Sequence, residues 1–167
     1  KPTSPYGAAK AYAHQMVLIY RARGLAASNC ILFNHESPRR PPAFVTRKIT
    51  QAAARIARDG HGSLNLGNLE VRRDWGWAPD YVDALVRTAR HESGDDFIVA
   101  TGRAHSVAEF AAAAFARVGI ADWERCVETD SQFVRPIDAT ELVGGASKAR
   151  SELGWARAHD FLGLVHG

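Results

Sequence analysis

A tyrosine and a lysine, Tyr6 and Lys10, stand four residues apart near the start of the sequence. If this stretch is helical, the spacing places both side chains on one face of the helix. A cation beside a phenol favours the phenolate, and a phenolate can remove a proton from an alcohol as a general base. The pair is therefore a candidate catalytic site, although a two-residue pattern also recurs by chance on helix surfaces.

The residues around this pair predict a helix over residues 5–23. Ser4 can cap the helix, Pro5 suits its first turn, and Gly24 is a natural stop. Residues 26–33 then predict a short buried strand. A long helix that leads through a glycine into an apolar strand is typical of α/β proteins.

A polar loop that begins with Asn34 and His35 follows the predicted strand. The carboxyl end of a parallel strand is where open α/β sheets bind ligands. Basic residues recur in this loop and beyond it, namely Arg39, Arg40, Arg47, Lys48, Arg72, Arg73 and Arg135. Because guanidinium groups pair well with phosphate oxygens, the pattern predicts a diphosphate site, although each arginine alone could be a solvated surface residue.

The rest of the chain continues the α/β pattern without an internal repeat or a linker. Helices are predicted over about 44–58, 80–92, 106–118 and 146–153 and from 160, and strands near 64–66, 71–75, 97–100, 127 and 141–143. Ser106 and Glu109 have the spacing of a capping box, in which each side chain satisfies a backbone N–H of the other residue.

Composition favours a soluble globular protein, because 46% of the 167 residues are hydrophobic and 23% are charged. No apolar run is long enough for a membrane span. The net charge of +3 is interspersed, so nucleic-acid binding is not expected. Two cysteines, Cys30 and Cys126, form no disulfide framework and suggest a cytoplasmic location. The histidines lack ligand spacing, so no metal site is expected.

The Tyr6-x-x-x-Lys10 pattern resembles the catalytic pair of the short-chain dehydrogenase/reductase superfamily. The run Ile31-Leu32-Phe33-Asn34-His35-Glu36-Ser37-Pro38-Arg39-Arg40, with Phe44-Val45-Thr46-Arg47-Lys48-Ile49, is similar to the GDP-mannose 4,6-dehydratases, which are extended members of that superfamily. Shorter stretches match in the same order, including Arg73-Asp74-Trp75-Gly76 and Leu153-Gly154-Trp155. The resemblance covers nearly the whole chain.

The resemblance implies an α/β fold made of the C-terminal part of a Rossmann-type doubly wound parallel sheet and a small mixed α/β substrate-binding domain. Residues 1–33 would be the last part of the NADP-binding Rossmann domain. Residues 34–167 would be mostly the substrate-binding region, with 79–101 returning a helix and a strand to the Rossmann sheet.

The resemblance also implies an activity, which is the dehydration of GDP-mannose to GDP-4-keto-6-deoxymannose on the route to GDP-fucose and related deoxyhexoses. NADP would accept hydride from C4 of the mannose while Tyr6 removes the proton of the C4 hydroxyl. Water would then leave across C5–C6, and the hydride would return to C6. The cofactor is regenerated, so the net reaction is a lyase reaction.

Residue roles follow from matching positions in the family. Tyr6, Lys10, His35 and Arg40 would contact NADP. The GDP-sugar would be surrounded by Asn34, Val45, Lys48, Arg73, Arg135 and Asp138, with Arg73 and Arg135 on the diphosphate. The sequence departs from the family at several positions, including Asp138, where glutamate is usual, and Trp77, where histidine is common.

The family's glycine-rich nucleotide loop and its Thr and Glu that assist elimination lie upstream of the tyrosine. The chain is therefore expected to be a C-terminal portion that lacks them, inactive alone and of marginal stability. A cooperative melt with bound NADP would contradict this expectation. The resemblance further implies a homo-oligomer, a dimer or a tetramer.

Two other functions remain open from the sequence. The chain could belong to another nucleotide-sugar epimerase or dehydratase, which a comparison of guanine and uracil ligands would reveal. It could also be a truncated homologue that binds a nucleotide sugar without catalysis. A nucleic-acid binder is disfavoured because no basic stripe is interleaved with aromatic residues.

Overall fold

A computed structural model of the chain describes residues 2–133 and 140–166. Its helices are α1 (Pro5–Ala22), α2 (Val45–Asp59), α3 (Ala78–Ala89), α4 (Val107–Arg117), α5 (Ser147–Leu153) and α6 (Phe161–His166). Its strands are β1 (Asn29–Leu32), β2 (Asn34–Glu36), β3 (Leu64–Leu66), β4 (Arg72–Arg73), β5 (Trp75–Trp77), β6 (Asp96–Val99), β7 (His105–Ser106), β8 (Val127–Thr129) and β9 (Glu141–Leu142). Two short 3-10 helices span Trp123–Cys126 and Ser131–Phe133.

Helix α1 forms where its capping residues predicted it. The Ser4 hydroxyl accepts a hydrogen bond from the Gly7 N–H at 3.1 Å, and the chain turns away at Gly24, whose φ is +91°. None of the residues of α1 is buried against the rest of the described chain. Neither α1 nor any other helix in the described ranges is long and apolar enough to cross a bilayer.

The strand predicted over 26–33 is shorter than expected and is followed by a second strand. β1 pairs in parallel with β6, with Asn29 opposite Asp96 and Leu32 opposite Val99. After Phe33 the chain leaves this sheet and forms β2, which pairs in parallel with β5. The residues that connect β1 to β6 therefore include the polar loop, α2 and α3.

Two further small sheets complete the structure. β3 pairs in parallel with β8, and β4 lies between β7 and β9 in a three-stranded sheet. β4 is antiparallel to β7 and parallel to β9. The predicted α/β class with mainly parallel pairing is therefore confirmed.

The apolar interior consists of two clusters. One lies between α2, α4 and α6 and includes the buried Ile49 and Phe115. The other lies between α3, α5 and β6 and contains Tyr81, Phe97 and Trp155. Because truncating a fully buried aromatic ring to alanine typically costs about 3–5 kcal/mol, each cluster contributes strongly to stability.

The predicted capping box of α4 forms only in part. The Ser106 hydroxyl accepts the Glu109 N–H at 3.0 Å, as expected. The Glu109 carboxylate, however, does not return to Ser106 but accepts hydrogen bonds from Arg72 and His105, both at 2.8 Å. The reciprocal half of the prediction is wrong because Arg72 on β4 and His105, four residues before Glu109, take up this carboxylate, which thereby ties α4 to β4 and β7.

Helix α1 is joined to the β1–β6 sheet by a polar cluster around Asp96. Arg21 donates to the Asp96 carboxylate at 2.6 Å and to the Ala27 carbonyl at 2.8 Å, and Asn29 donates to the same carboxylate at 3.0 Å. Burial raises the pKa of Asp96, but the hydrogen bonds from Arg21 and Asn29 and the charges of Arg21 and His14 outweigh it and hold this pKa below its usual range.

We expect this cluster to make stability pH-dependent. A carboxyl whose pKa is lower in the folded state stabilises the fold above its unfolded pKa, about 3.9 for aspartate, and the contribution is lost as the pH falls through the folded pKa. Urea unfolding of the wild type should therefore lose more free energy between pH 5 and 3 than unfolding of Asp96→Asn. Arg21→Gln should reduce the same pH-dependent contribution to the free energy of unfolding. A pH dependence that neither substitution changes would contradict its assignment to the Asp96 cluster.

Candidate functional site

Tyr6 and Lys10 lie together in the first turns of α1, as their spacing predicted. The Lys10 ammonium is 5.6 Å from the centre of the Tyr6 ring. Tyr6 is 73% exposed and Lys10 is also exposed, so both can reach a bound molecule. This geometry gives the tyrosine a cation at its ring and an open approach to its hydroxyl.

His35 has its imidazole fixed by the backbone at the carboxyl end of β1. Its Nδ1 lies 2.9 Å from the Phe33 carbonyl oxygen. Because a carbonyl can only accept, Nδ1 carries a proton, so in the neutral imidazole Nε2 is the acceptor. Asn34 precedes His35 on β2, and both side chains are half-buried. Polar groups therefore do follow β1, as the sequence predicted.

A second tyrosine, Tyr81, lies next to His35, with the two ring centres 5.2 Å apart. Tyr81 is only 1% exposed. Burial, together with the negative charges of Asp74 and Asp80, raises the pKa of Tyr81 well above its usual value. Tyr81 is therefore buried and held in its neutral form, whereas Tyr6 is open to a bound molecule.

Arg40 is held inside the polar loop by a buried carboxylate. Its Nε lies 3.0 Å from Oε2 of Glu36, and its guanidinium lies 3.7 Å from the centre of the Phe44 ring. Glu36 also accepts a hydrogen bond from the Thr46 hydroxyl at 2.6 Å. The Nε–Oε2 contact is an ion pair without hydrogen-bond geometry, so the guanidinium is held by charge and by the Phe44 ring, which is compatible with the predicted cofactor contact.

A groove of about 500 Å³ runs between α2, β3 and the 3-10 helix at 131–133. Its lining comprises Pro42, Lys48, Gln51, Ala52, Arg55, Ser63, Leu64, Asn65 and Phe133. Lys48 donates to the Asn65 carbonyl at 2.5 Å and lies 3.8 Å from the centre of the Phe133 ring. Two cations and an exposed aromatic ring suit a ligand that combines an anionic group with a planar ring.

The remaining predicted substrate residues are distributed around this region. Val45 is the first residue of α2 and packs against the apolar cluster between α2 and α4. Arg73 lies on β4, half-buried, and donates to the Arg72 carbonyl at 2.7 Å. Arg135 and Asp138 lie outside the described residues. The described structure thus brings together Tyr6 with Lys10 and Asn34 with His35.

Three residues of this region were not predicted from the sequence. Phe133 stacks on Lys48, Glu36 pairs with Arg40, and Asp74 is a fully buried carboxylate. Glu36 and Asp74 stood inside the stretches that resemble the family, yet only the folded structure shows their partners. For Phe133 the sequence held only a weak signal, because a lone aromatic residue near an arginine is as compatible with core packing as with ligand binding.

A smaller cavity of about 200 Å³ lies on the other side of the polar loop. Glu36 and Arg47 line one part of it, and Trp77 and Phe110 line another. Trp77, the departure from the family's usual histidine, also contacts His159, with 5.5 Å between ring centres. Its indole therefore packs as a wall of this cavity.

Comparisons with known proteins identify the family. A sequence model of the family described as GDP-mannose 4,6 dehydratase matches residues 1–166, and the chain belongs to this family. GDP-mannose 4,6 dehydratase 1 of Arabidopsis thaliana is 48% identical over 165 residues, which are 98% of this chain and 45% of that protein. The resemblance at residues 31–49 is thereby confirmed.

Solved structures confirm the Rossmann-type fold class. MoeE5 in complex with UDP-glucose and NAD has a TM-score of 0.83 at 25% identity, over 99% of this chain and 54% of that one. The UDP-glucose 4-epimerase of Thermotoga maritima, solved with UDP-glucose, has a TM-score of 0.81 at 26% identity, over 99% of this chain and 52% of that one.

The chain spans about half the length of the relatives that it matches. The comparisons establish what fraction of each relative's length the chain covers. They do not bear out the expectation that the chain is a C-terminal portion without the cofactor loop. The division into a cofactor-binding part at 1–33 and a substrate-binding part at 34–167 stays a prediction.

The imidazole geometry of His35 can be tested directly by NMR. At a pH above about 8, where histidine is neutral, ¹⁵N correlation spectra should show the proton on Nδ1 of His35. The exposed His61 serves as a reference for an imidazole in water. A proton on Nε2 of His35 would contradict the hydrogen bond to the Phe33 carbonyl.

Proposed function

We propose that this chain is part of an enzyme that dehydrates GDP-mannose to GDP-4-keto-6-deoxymannose. The observation that carries the proposal is the exposed Tyr6–Lys10 pair, set on a helix within the region that matches the dehydratase family. An exposed tyrosine–lysine pair alone would not support a particular reaction. The dehydration of GDP-mannose is supported by this pair together with the family membership, the polar residues after β1 and the basic groove.

The substrate's proton would be taken by Tyr6. Its hydroxyl is open to solvent, whereas the other tyrosine near His35 is buried and held protonated. The Lys10 ammonium, 5.6 Å from the centre of the Tyr6 ring, would bind a ribose hydroxyl of the cofactor and place a cation beside the reacting tyrosine. Removal of the C4 hydroxyl proton by Tyr6 is therefore the step that these described residues support best.

The GDP part of the substrate would be held by the groove and by β4. Lys48 presents an ammonium beside Phe133, and Arg55 lines the same groove. Arg73 and, from the family resemblance, Arg135 would bind the diphosphate, with Asn34, Val45 and Asp138 around the sugar and nucleoside. Cations and an exposed ring match the phosphates and the base of a nucleotide.

NADP is the cofactor that we propose, bound through Tyr6, Lys10, His35 and Arg40. The structurally similar MoeE5 was solved with NAD, which supports a nicotinamide cofactor for this fold. When bound, the nicotinamide supplies the transient oxidation at C4 and the reduction at C6. His35 would present an imidazole held by the Phe33 carbonyl, and the exposed Tyr6–Lys10 pair would present a hydroxyl and an ammonium to such a group.

The proposal includes a cytoplasmic location and a homo-oligomeric assembly, a dimer or a tetramer. Another nucleotide-sugar epimerase or dehydratase remains the second candidate, because structures of similar fold were solved with UDP-glucose. A homologue that binds without catalysis is the third. The 48% identity to GDP-mannose 4,6 dehydratase 1 of Arabidopsis thaliana, over 98% of this chain, favours the first candidate over the second.

Replacing Tyr6 by phenylalanine is the decisive test of the proposed function. The complete gene product that contains this sequence should convert GDP-mannose to the 4-keto product in the presence of NADP. Tyr6→Phe should lower kcat by on the order of 10²–10⁴, the usual contribution of a general base, and leave GDP affinity unchanged. Mass spectrometry of the product and calorimetry with GDP measure the two quantities.

Tyr12, which is 67% exposed on the same helix, provides the matched control. Tyr12→Phe removes an equivalent hydroxyl and should keep full activity. Turnover that survives Tyr6→Phe would contradict the assigned base. Conversion of UDP-glucose instead of GDP-mannose would favour the second candidate, and GDP binding without any turnover would favour the third.

A further inference from the structure

Asp74 is a buried carboxylate that no cation neutralises among the contacts of the described chain. It is 0% exposed and accepts four hydrogen bonds. Thr101 donates to Oδ1 through its N–H at 2.8 Å and its hydroxyl at 2.7 Å. Gly102 and Gly144 donate their N–H groups to Oδ2 at 2.9 and 3.2 Å. We call these four residues the Asp74 latch.

The Asp74 latch connects segments that belong to different sheets. Asp74 lies between β4 and β5, Thr101 and Gly102 follow β6, and Gly144 follows β9. The main chain of Asp74 takes part as well, because its N–H donates to the Leu142 carbonyl at 3.0 Å. One residue therefore fixes the β1–β6 sheet relative to the sheet that contains β4 and β9.

Both glycines of the latch are required by its geometry. Gly102 has a φ of +84°, which L side chains rarely adopt. A Cβ on Gly144 would lie 2.5 Å from the Cβ of Ala100 and 2.6 Å from the Phe33 ring. Only a residue without a side chain lets the end of β9 approach β1 and β6 closely enough for its N–H to reach Asp74.

We propose that Asp74 is a positioning residue for substrate binding, acting through Arg73. This inference rests on the proposed function, in which the guanidinium of Arg73 binds the diphosphate. Arg73 is the residue directly before Asp74, and His35 follows the strand that pairs with β6. By holding β4 against the end of β6, the latch sets Arg73 in a fixed relation to the cofactor residues that follow β1.

Asp74→Asn weakens the latch while changing the side-chain volume little. The amide has one acceptor oxygen, whereas the three N–H groups of Thr101, Gly102 and Gly144 all need an acceptor. Whichever way the amide turns, at least one of them faces an NH₂ group. Thr101→Val removes the hydroxyl, which also accepts the Arg103 N–H at 3.3 Å and contacts the Arg103 carbonyl at 3.2 Å, whereas Thr101→Ser keeps it, so these two variants form a matched pair.

The experiment measures GDP binding and amide hydrogen exchange in the complete gene product, well below its melting temperature. Asp74→Asn should weaken GDP binding about tenfold, since a charge-assisted phosphate contact is displaced. The Gly102 and Gly144 amides should exchange faster. Thr101→Val should show smaller changes in the same direction, and Thr101→Ser should behave as the wild type does.

The outcomes separate positioning from a purely structural role. Faster exchange and a lower melting temperature with unchanged GDP affinity would overturn the positioning role. Unchanged exchange at both glycines would overturn the latch itself. A wild type that binds no GDP would refute the proposed function and with it the role of Arg73. In that case, the exchange rates of the Gly102 and Gly144 amides would still show whether Asp74 holds the latch together.

Discussion

A carboxylate removed from water needs a complete set of donors, and at Asp74 the fold supplies them from separate segments of the chain. β4 and β9 pair over only two residues each, and the Thr101 hydroxyl contacts the Arg103 carbonyl in the turn after β6. The bonds to this one charge therefore add to the β4–β9 ladder in holding these segments together.

The polar loop after β2 follows the same physical rule on a smaller scale. Glu36 is 6% exposed, and its carboxylate is balanced by the Arg40 guanidinium and the Thr46 hydroxyl. Arg40 then rests on the Phe44 ring. The ion pair thus fixes one of the two arginines of this loop at the entrance to α2, and Arg39 beside it is exposed.

The sequence predicted the parts of the fold that local chemistry decides. Ser4 and Gly24 mark the ends of α1, and Ser106 marks the start of α4, because capping involves residues a few positions apart. The separate strand β2 was missed, since three residues after Phe33 carry no periodicity that could be recognised. The spacing of Tyr6 and Lys10 predicted that they lie together on α1, and the structure confirms this placement. The long-range partners of Lys48, Glu109 and Asp74 were not predicted, because they lie many residues away and only the tertiary fold brings them together.

The pairing of β1 with β6 has a consequence for biosynthesis. During synthesis β1 cannot pair until β6 has been made, because Asn29 lies opposite Asp96. In the same way, β2, β3 and β4 pair with strands that are synthesised later, namely β5, β8 and β9. At about 5–20 residues per second, a ribosome adds the chain between β1 and β6 in roughly 3–13 s. Helices form far faster than that, so the helices of the nascent chain form while strands such as β1 still lack their pairing partners. Because unpaired strand edges are prone to aggregation, this stage of synthesis exposes the chain to that hazard.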